Sequence, residues 1–111
     1  MRLRFDDFLL DLEARQLFRG SEELHVRPKT YELLELLITR RPRALSKVQL
    51  RRQLWPETAA EDVDLTVLVT DLRAVLGDDA KAPRYVRTVR RFGYAFCADA
   101  TGDGPPHRAL T

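Results

Sequence analysis

Residues 85–97 read Tyr85-Val86-Arg87-Thr88-Val89-Arg90-Arg91-Phe92-Gly93-Tyr94-Ala95-Phe96-Cys97. Two short β-prone runs, 85–89 and 94–97, flank Arg90-Arg91-Phe92-Gly93. The stretch therefore predicts a hairpin with an arginine-rich tip. Upstream, Leu65, Val69, Leu72 and Leu76 recur at spacings of 4, 3 and 4. That spacing puts them on one helical stripe over about 62–76, with Asp62 and Asp64 suited to its start and Gly77 to its stop. Further back, Ser46 is a good N-cap for a second helix. This helix carries Val48, Leu50 and Leu54 on one side and Lys47, Arg51 and Arg52 on the other, and it ends at Trp55-Pro56. Pro28 opens a first helix, where a missing N–H is harmless. Leu33, Leu34, Leu36, Leu37 and Ile38 give it a broad apolar face, and Arg40, Arg41 and Pro42 end it.

Before Pro28 the pattern changes. Leu3-Arg4-Phe5, Phe8 to Leu12, Gln16 to Arg19 and Leu24-His25-Val26 are short apolar runs broken by polar turns, Gly20-Ser21 among them. They predict a small four-stranded antiparallel sheet. Phe5, Phe8, Phe18, Tyr94 and Phe96 alternate along strands and are read as core, as is Trp55. From Thr101 the chain is polar, Gly- and Pro-containing and aperiodic, which predicts a flexible tail or linker over 99–111 behind one domain at 1–98. The order is strands, three helices and a terminal hairpin. This is an α+β winged helix, a helix-turn-helix variant with an N-terminal antiparallel four-stranded sheet and a C-terminal hairpin wing.

Composition narrows the function. The 111 residues, 44% of them hydrophobic, suffice for one self-supporting core. No apolar run nears the roughly 20 residues that cross a bilayer. The start, Met1-Arg2-Leu3-Arg4-Phe5-Asp6-Asp7, has no apolar signal region. One cysteine, Cys97, and two distant histidines, His25 and His107, exclude an internal disulfide, a zinc finger and a thiol redox pair. No cofactor or metal is expected. No carboxylate pair, nucleophile–base set or Gly-rich phosphate loop suggests an enzyme. The expected compartment is the cytoplasm. The net charge of +2 conceals blocks of −1 over 1–27, +4 over 28–60, −4 over 61–83 and +3 over 84–111. Basic blocks on either side of an acidic one point to a polyanionic partner.

The chain resembles the OmpR/PhoB-type winged-helix DNA-binding domain over residues 1 to about 98. The resemblance lies in Arg27-Pro28-Lys29 before Tyr31-Glu32-Leu33-Leu34, in Leu45 to Leu50 with Leu54-Trp55-Pro56, in Asp71 to Gly77 and in Tyr85 to Tyr94. Leu76-Gly77-Asp78-Asp79-Ala80 with Pro83-Arg84-Tyr85-Val86 is most similar to the subset in which the domain stands at the N-terminus of a one-component regulator. There it is joined to a sensor, a membrane anchor or a forkhead-associated domain.

The resemblance implies double-stranded DNA as partner, and a second copy on tandem sites. It lays the third helix, about 62–76, in the major groove and a wing arginine, Arg90, in the minor groove. Lys47 and Arg51 are then phosphate ligands, and Arg87, Thr88 and Arg91 lie on the wing beside the backbone. Thr66, Val67 and Thr70 face base edges. Arg73 grips a phosphate or supports the fold. Gly93 permits the tight return of the hairpin. The third helix departs from the family pattern, since Val63, Leu68, Thr70 and Asp71 stand where cations are common. The alternative function is a protein-interaction module using Val63, Val67, Leu68 and Asp71 as an apolar and acidic face.

Overall fold

The computed structural model describes residues 1–57 and 64–102. The chain packs as two units, one formed by residues 1–25 with the segment from Asp99, the other by residues 26–98.

The first unit is a meander of β1 (Arg2–Phe5), β2 (Phe8–Asp11), β3 (Gln16–Arg19) and β4 (Glu22–Leu24). The period of two decides its faces. Leu3 and Phe5, Phe8 and Leu10, and Leu17 are buried, while Arg2 and Arg4 point outward. The register pairs Leu3 with Leu10 and Leu10 with Leu17, so the apolar side chains share one face. The Phe5 and Phe8 rings stack with centroids 5.0 Å apart. Phe18 departs from the core expectation. Its neighbour Leu17 takes the inward position, and Phe18 lies half-buried on the other face opposite Leu9. The fourth strand is also displaced, covering Glu22–Leu24 rather than reaching Val26. A fifth strand appears where a tail was expected. β8 (Thr101–Gly102) pairs with β1, Thr101 opposite Arg4, giving the order β4-β3-β2-β1-β8. Two residues of strand carry almost no periodicity, which is why the sequence hides them. Residues 103–111 of the expected tail, His107 included, lie outside the described residues.

The second unit holds α1 (Pro28–Thr39), β5 (Leu45–Ser46), α2 (Lys47–Leu54), α3 (Leu65–Leu76), β6 (Val86–Val89) and β7 (Gly93–Phe96). α1 buries Thr30, Tyr31, Leu33, Leu34, Leu37 and Ile38, and packs most extensively on α3. The α2 start is fixed by a reciprocal capping box. Ser46 Oγ accepts from the Gln49 amide at 3.0 Å, and Gln49 Oε1 accepts from the Ser46 amide at 2.9 Å. α3 begins at Leu65, three residues later than expected, because Asp64 is its N-cap and its carboxylate accepts from the Val67 amide. Asp62 lies outside the described residues. The predicted stripe Leu65, Val69, Leu72, Leu76 is buried, and Gly77 ends the helix in the left-handed region at φ 67°. β5 pairs with β7, giving a three-stranded sheet β5-β7-β6 in which the wing hairpin gains a short partner. Trp55, expected in the core, is half-buried at the α2 C-cap.

Candidate nucleic-acid interface

With Leu65, Val69, Leu72 and Leu76 turned inward, the 3.6-residue period turns Thr66, Val67, Thr70 and Ala74 outward. All four are exposed, Val67 by 59%. Leu68 is half-buried. Asp71 is half-buried as well, and its carboxylate accepts from the Thr30 hydroxyl of α1 at 2.6 Å. Asp71, expected as part of an acidic docking face, thus also ties two helices together. Val63 lies outside the described residues. Of the apolar face expected for a protein partner, the described residues show Val67 exposed and Leu68 half-buried.

The wing is anchored to α3 by a residue expected to contact DNA. The Arg73 guanidinium donates to the Val86 carbonyl through Nε at 3.2 Å and Nη2 at 2.9 Å, and Nη2 also donates to Thr88 Oγ1 at 3.0 Å. Its carbon lies 6.0 Å from the Tyr94 ring centroid, within cation–π range. Of the two roles left open for Arg73, these bonds supply the fold-holding one, and Thr88, expected beside the DNA backbone, is an exposed side chain that also accepts from Arg73. The remaining cations of the hairpin point to solvent. Arg87 is exposed on β6, and Arg90 and Arg91 are exposed in the turn, Arg91 at φ 60°. Phe92 stands at the tip 46% exposed, a feature the alternation of the strands did not signal.

A second tie joins the wing to α2. The Lys47 amide donates to the Phe92 carbonyl at 2.9 Å, and Ser46 pairs with Gly93. Gly93 is needed for this close approach and not for the turn itself. A Cβ there would lie 1.9 Å from the Leu45 carbonyl oxygen. Lys47, at the first position of α2, is exposed at the root of the wing turn. Arg51 departs from its expected place. Leu50 and Leu54 set the buried face, Arg51 is half-buried one residue along, and its Nε is buried without a hydrogen-bond partner among the described residues. Val48, read as apolar-face, is 51% exposed because it sits about half a turn from Leu50 and Leu54. Arg52 is exposed and lines a separate cleft with Arg40, Gln49 and Gln53.

Asp78 fixes the connection from α3 to the wing. Partial burial raises its pKa, but amide donors at Arg84, Val86, Tyr85 and Asp79 outweigh burial and hold the carboxyl below the usual aspartate range. These bonds measure 2.7, 2.8, 3.1 and 3.0 Å. At Cys97, an exposed residue, partial burial of the thiol and the Asp78 charge raise the pKa above the ordinary thiol value.

One cation was missed altogether. Arg27, the residue before α1, lines an open cleft of about 350 Å³ with Thr66, Val67, Thr70, Asp71 and Ala74. It is thirty-nine or more positions from these residues in the chain, so no local pattern announces it. No cluster of His, Cys, Asp and Glu fit to hold a metal occurs among the described residues. No helix among them is long and apolar enough to cross a membrane.

Comparison with known proteins agrees with this geometry. The family described as transcriptional regulatory protein, C terminal, matches residues 21–96. The KDP operon transcriptional regulatory protein KdpE of Escherichia coli is 35% identical over 95 residues, covering 85% of this chain and 42% of KdpE. The transcriptional regulator HilA of Salmonella typhi is 31% identical over 102 residues, covering 92% of this chain and 18% of HilA. The chain thus spans under half the length of these relatives. Among solved structures, the Klebsiella pneumoniae RstA DNA-binding domain, in complex with the RstA box, superposes with a TM-score of 0.74 at 25% identity, covering 86% of this chain and 95% of that one. The C-terminal effector domain of BfmR from Acinetobacter baumannii gives 0.71 at 31% identity, covering 86% and 88%.

Proposed function

This chain belongs to the transcriptional regulatory protein C-terminal family, and from that membership we propose that it is the DNA-binding module of a bacterial-type transcription regulator. The observation that carries the reading is the outward stripe of α3, Thr66, Val67, Thr70 and Ala74, beside a wing that Arg73 holds to the same helix. A helix presenting small side chains fits a major groove. Threonine hydroxyls bond to several bases, and threonine and valine methyls meet the thymine methyl. The wing cations Arg90, Arg91 and Arg87 and the α2 residue Lys47 supply phosphate and minor-groove contacts. Phosphate contacts give most of the affinity, and the α3 stripe gives what specificity there is. The absence of a cation on the outward stripe argues for modest discrimination, since each bidentate arginine–guanine pair is worth about 1–3 kcal/mol.

In the same proposal the chain acts in the cytoplasm, as part of a longer regulator with a linked sensor or forkhead-associated domain. A second copy occupies an adjacent repeat. The test is fluorescence anisotropy on a random-sequence and an A·T-rich duplex between roughly 20 and 200 mM salt, the range in which phosphate contacts are exposed. Saturable, salt-sensitive binding that Arg90→Ala weakens more on the A·T-rich duplex is the expected result. No binding to either duplex at the lowest salt would sink the reading. A protected footprint of two adjacent repeats supports the tandem copy.

A further inference from the structure

Arg27 occupies a position that helix stability does not explain. It is the N-cap of α1, where Ser, Thr, Asp and Asn are favoured because their side chains accept from the first free amides. Arginine has no acceptor, and its side chain caps nothing. Its charge also sits at the positive end of the helix dipole. Among the described residues its side chain makes no hydrogen bond or ion pair, and it is exposed. Its surroundings supply the missing reason. The cleft it lines is walled by the outward stripe of α3 and by Asp71. Asp64 at the cap of α3 and Asp71 near its middle repel phosphate, and the outward stripe carries no cation.

We propose that Arg27 is a phosphate ligand flanking α3, the cation that the helix itself lacks. This rests on the DNA-binding reading. The choice of phosphate over base follows from dimensions. An α-helix with its side chains is about 10–12 Å across and the major groove about 12 Å wide, so the helix fills the groove. A side chain arriving from a neighbouring element meets the groove wall, which is phosphodiester backbone. Extended backbone at Arg27 (φ −64°, ψ 148°), before the fixed ring of Pro28, holds the root of the side chain in place.

The experiment compares the chain with Arg27→Ala, Arg27→Thr and Arg27→Lys on two duplexes, one enriched from a random pool by the chain and one scrambled from it. Salt titrations give the slope of log affinity against log salt. Arg27→Ala and Arg27→Thr are expected to weaken both duplexes by the same factor and to flatten the slope by about 0.9, with Arg27→Lys keeping the slope. Arg27→Thr supplies an N-cap and is expected to raise Tm while losing affinity, opposite signs that a structural role for Arg27 would not produce. An unchanged slope in Arg27→Ala, while the parent chain binds, overturns the proposal alone. A loss confined to the enriched duplex overturns it in favour of base reading. If the parent chain binds neither duplex at the lowest salt, the DNA-binding reading falls and Arg27 with it.

Discussion

At the residue scale, two side chains hold the wing in place, and both make testable commitments. Arg73 spends its guanidinium on Val86 and Thr88. Arg73→Ala removes a charged donor from a half-buried carbonyl and is expected to lower stability by about 1.5–3 kcal/mol, read by urea denaturation. Arg73→Lys keeps the charge but loses the planar fork, so it should recover little of that stability. If Arg73 were a phosphate ligand, Lys would keep the salt slope and Ala would flatten it. The structure predicts instead that both variants keep the parent slope. Asp78 works through protonation. Its folded-state pKa lies below the usual value of about 3.9, so the stability it contributes is complete above that value and is lost as pH falls through the folded pKa. Asp78→Asn cannot offer a charged acceptor to four amides. It should be destabilised at pH 7, and its deficit against the parent chain should begin to shrink below about pH 4 and go on shrinking as pH falls through the lower folded-state pKa. A deficit constant from pH 7 to pH 3 would show that geometry and not charge holds this turn.

At the element scale, the sequence reveals most where a repeat is long enough to show a period. The α3 stripe at 65, 69, 72 and 76 is legible because three turns of one helix repeat the same commitment, and the structure buries all four residues. Leu72→Ala is accordingly expected to cost about 2–5 kcal/mol in a thermal or chemical melt. The α2 capping box was half legible. Ser46 announced a cap, and Gln49 three residues later completed the signature. Ser46→Ala should cost about 1 kcal/mol. The two-residue strands β5 and β8 were not legible, because two residues cannot show a period. On α2 the one-turn apolar pattern misassigned Val48 and Arg51, since eight residues with two leucines leave the buried face ambiguous by a residue either way. Gly93 illustrates a different limit. Its glycine is demanded by the Leu45 carbonyl across the sheet, a partner 48 positions away that no local turn rule contains. Gly93→Ala should separate β5 from β7 and loosen the Lys47–Phe92 tie, with a cost at the upper end for single substitutions, about 3 kcal/mol or more. The site was harder to read than the fold for the same reason. The contacts of Arg73 and Thr88 and the surroundings of Arg27 come from residues far along the chain, while the outward placement of Thr66, Val67 and Thr70 follows from the helix period alone.

At the scale of the whole molecule, charge placement decides affinity and net charge does not. The chain carries only +2, so its summed field attracts a polyanion weakly. Lys47, Arg87, Arg90 and Arg91 are exposed on the α2 start and the wing, which the Lys47–Phe92 bond joins, and Arg27 borders α3. Three carboxylates of the acidic block over 61–83 are held in bonds within the fold. Asp64 caps α3, Asp71 binds Thr30 and Asp78 holds the wing connection. If each of those five cations neutralises one phosphate, the slope of log affinity against log salt is about −4.5, at roughly −0.9 per contact. Affinity should then fall by a factor of about 500 between 50 and 200 mM salt. A slope near −2 would mean that only part of this set engages, and the single variants Lys47→Ala, Arg87→Ala and Arg91→Ala would identify the idle members, since each true ligand flattens the slope by about one. A slope steeper than about −6 would require cations beyond this set. Arg40 and Arg52, which share the cleft between the end of α1 and α2, are the first to remove in that case.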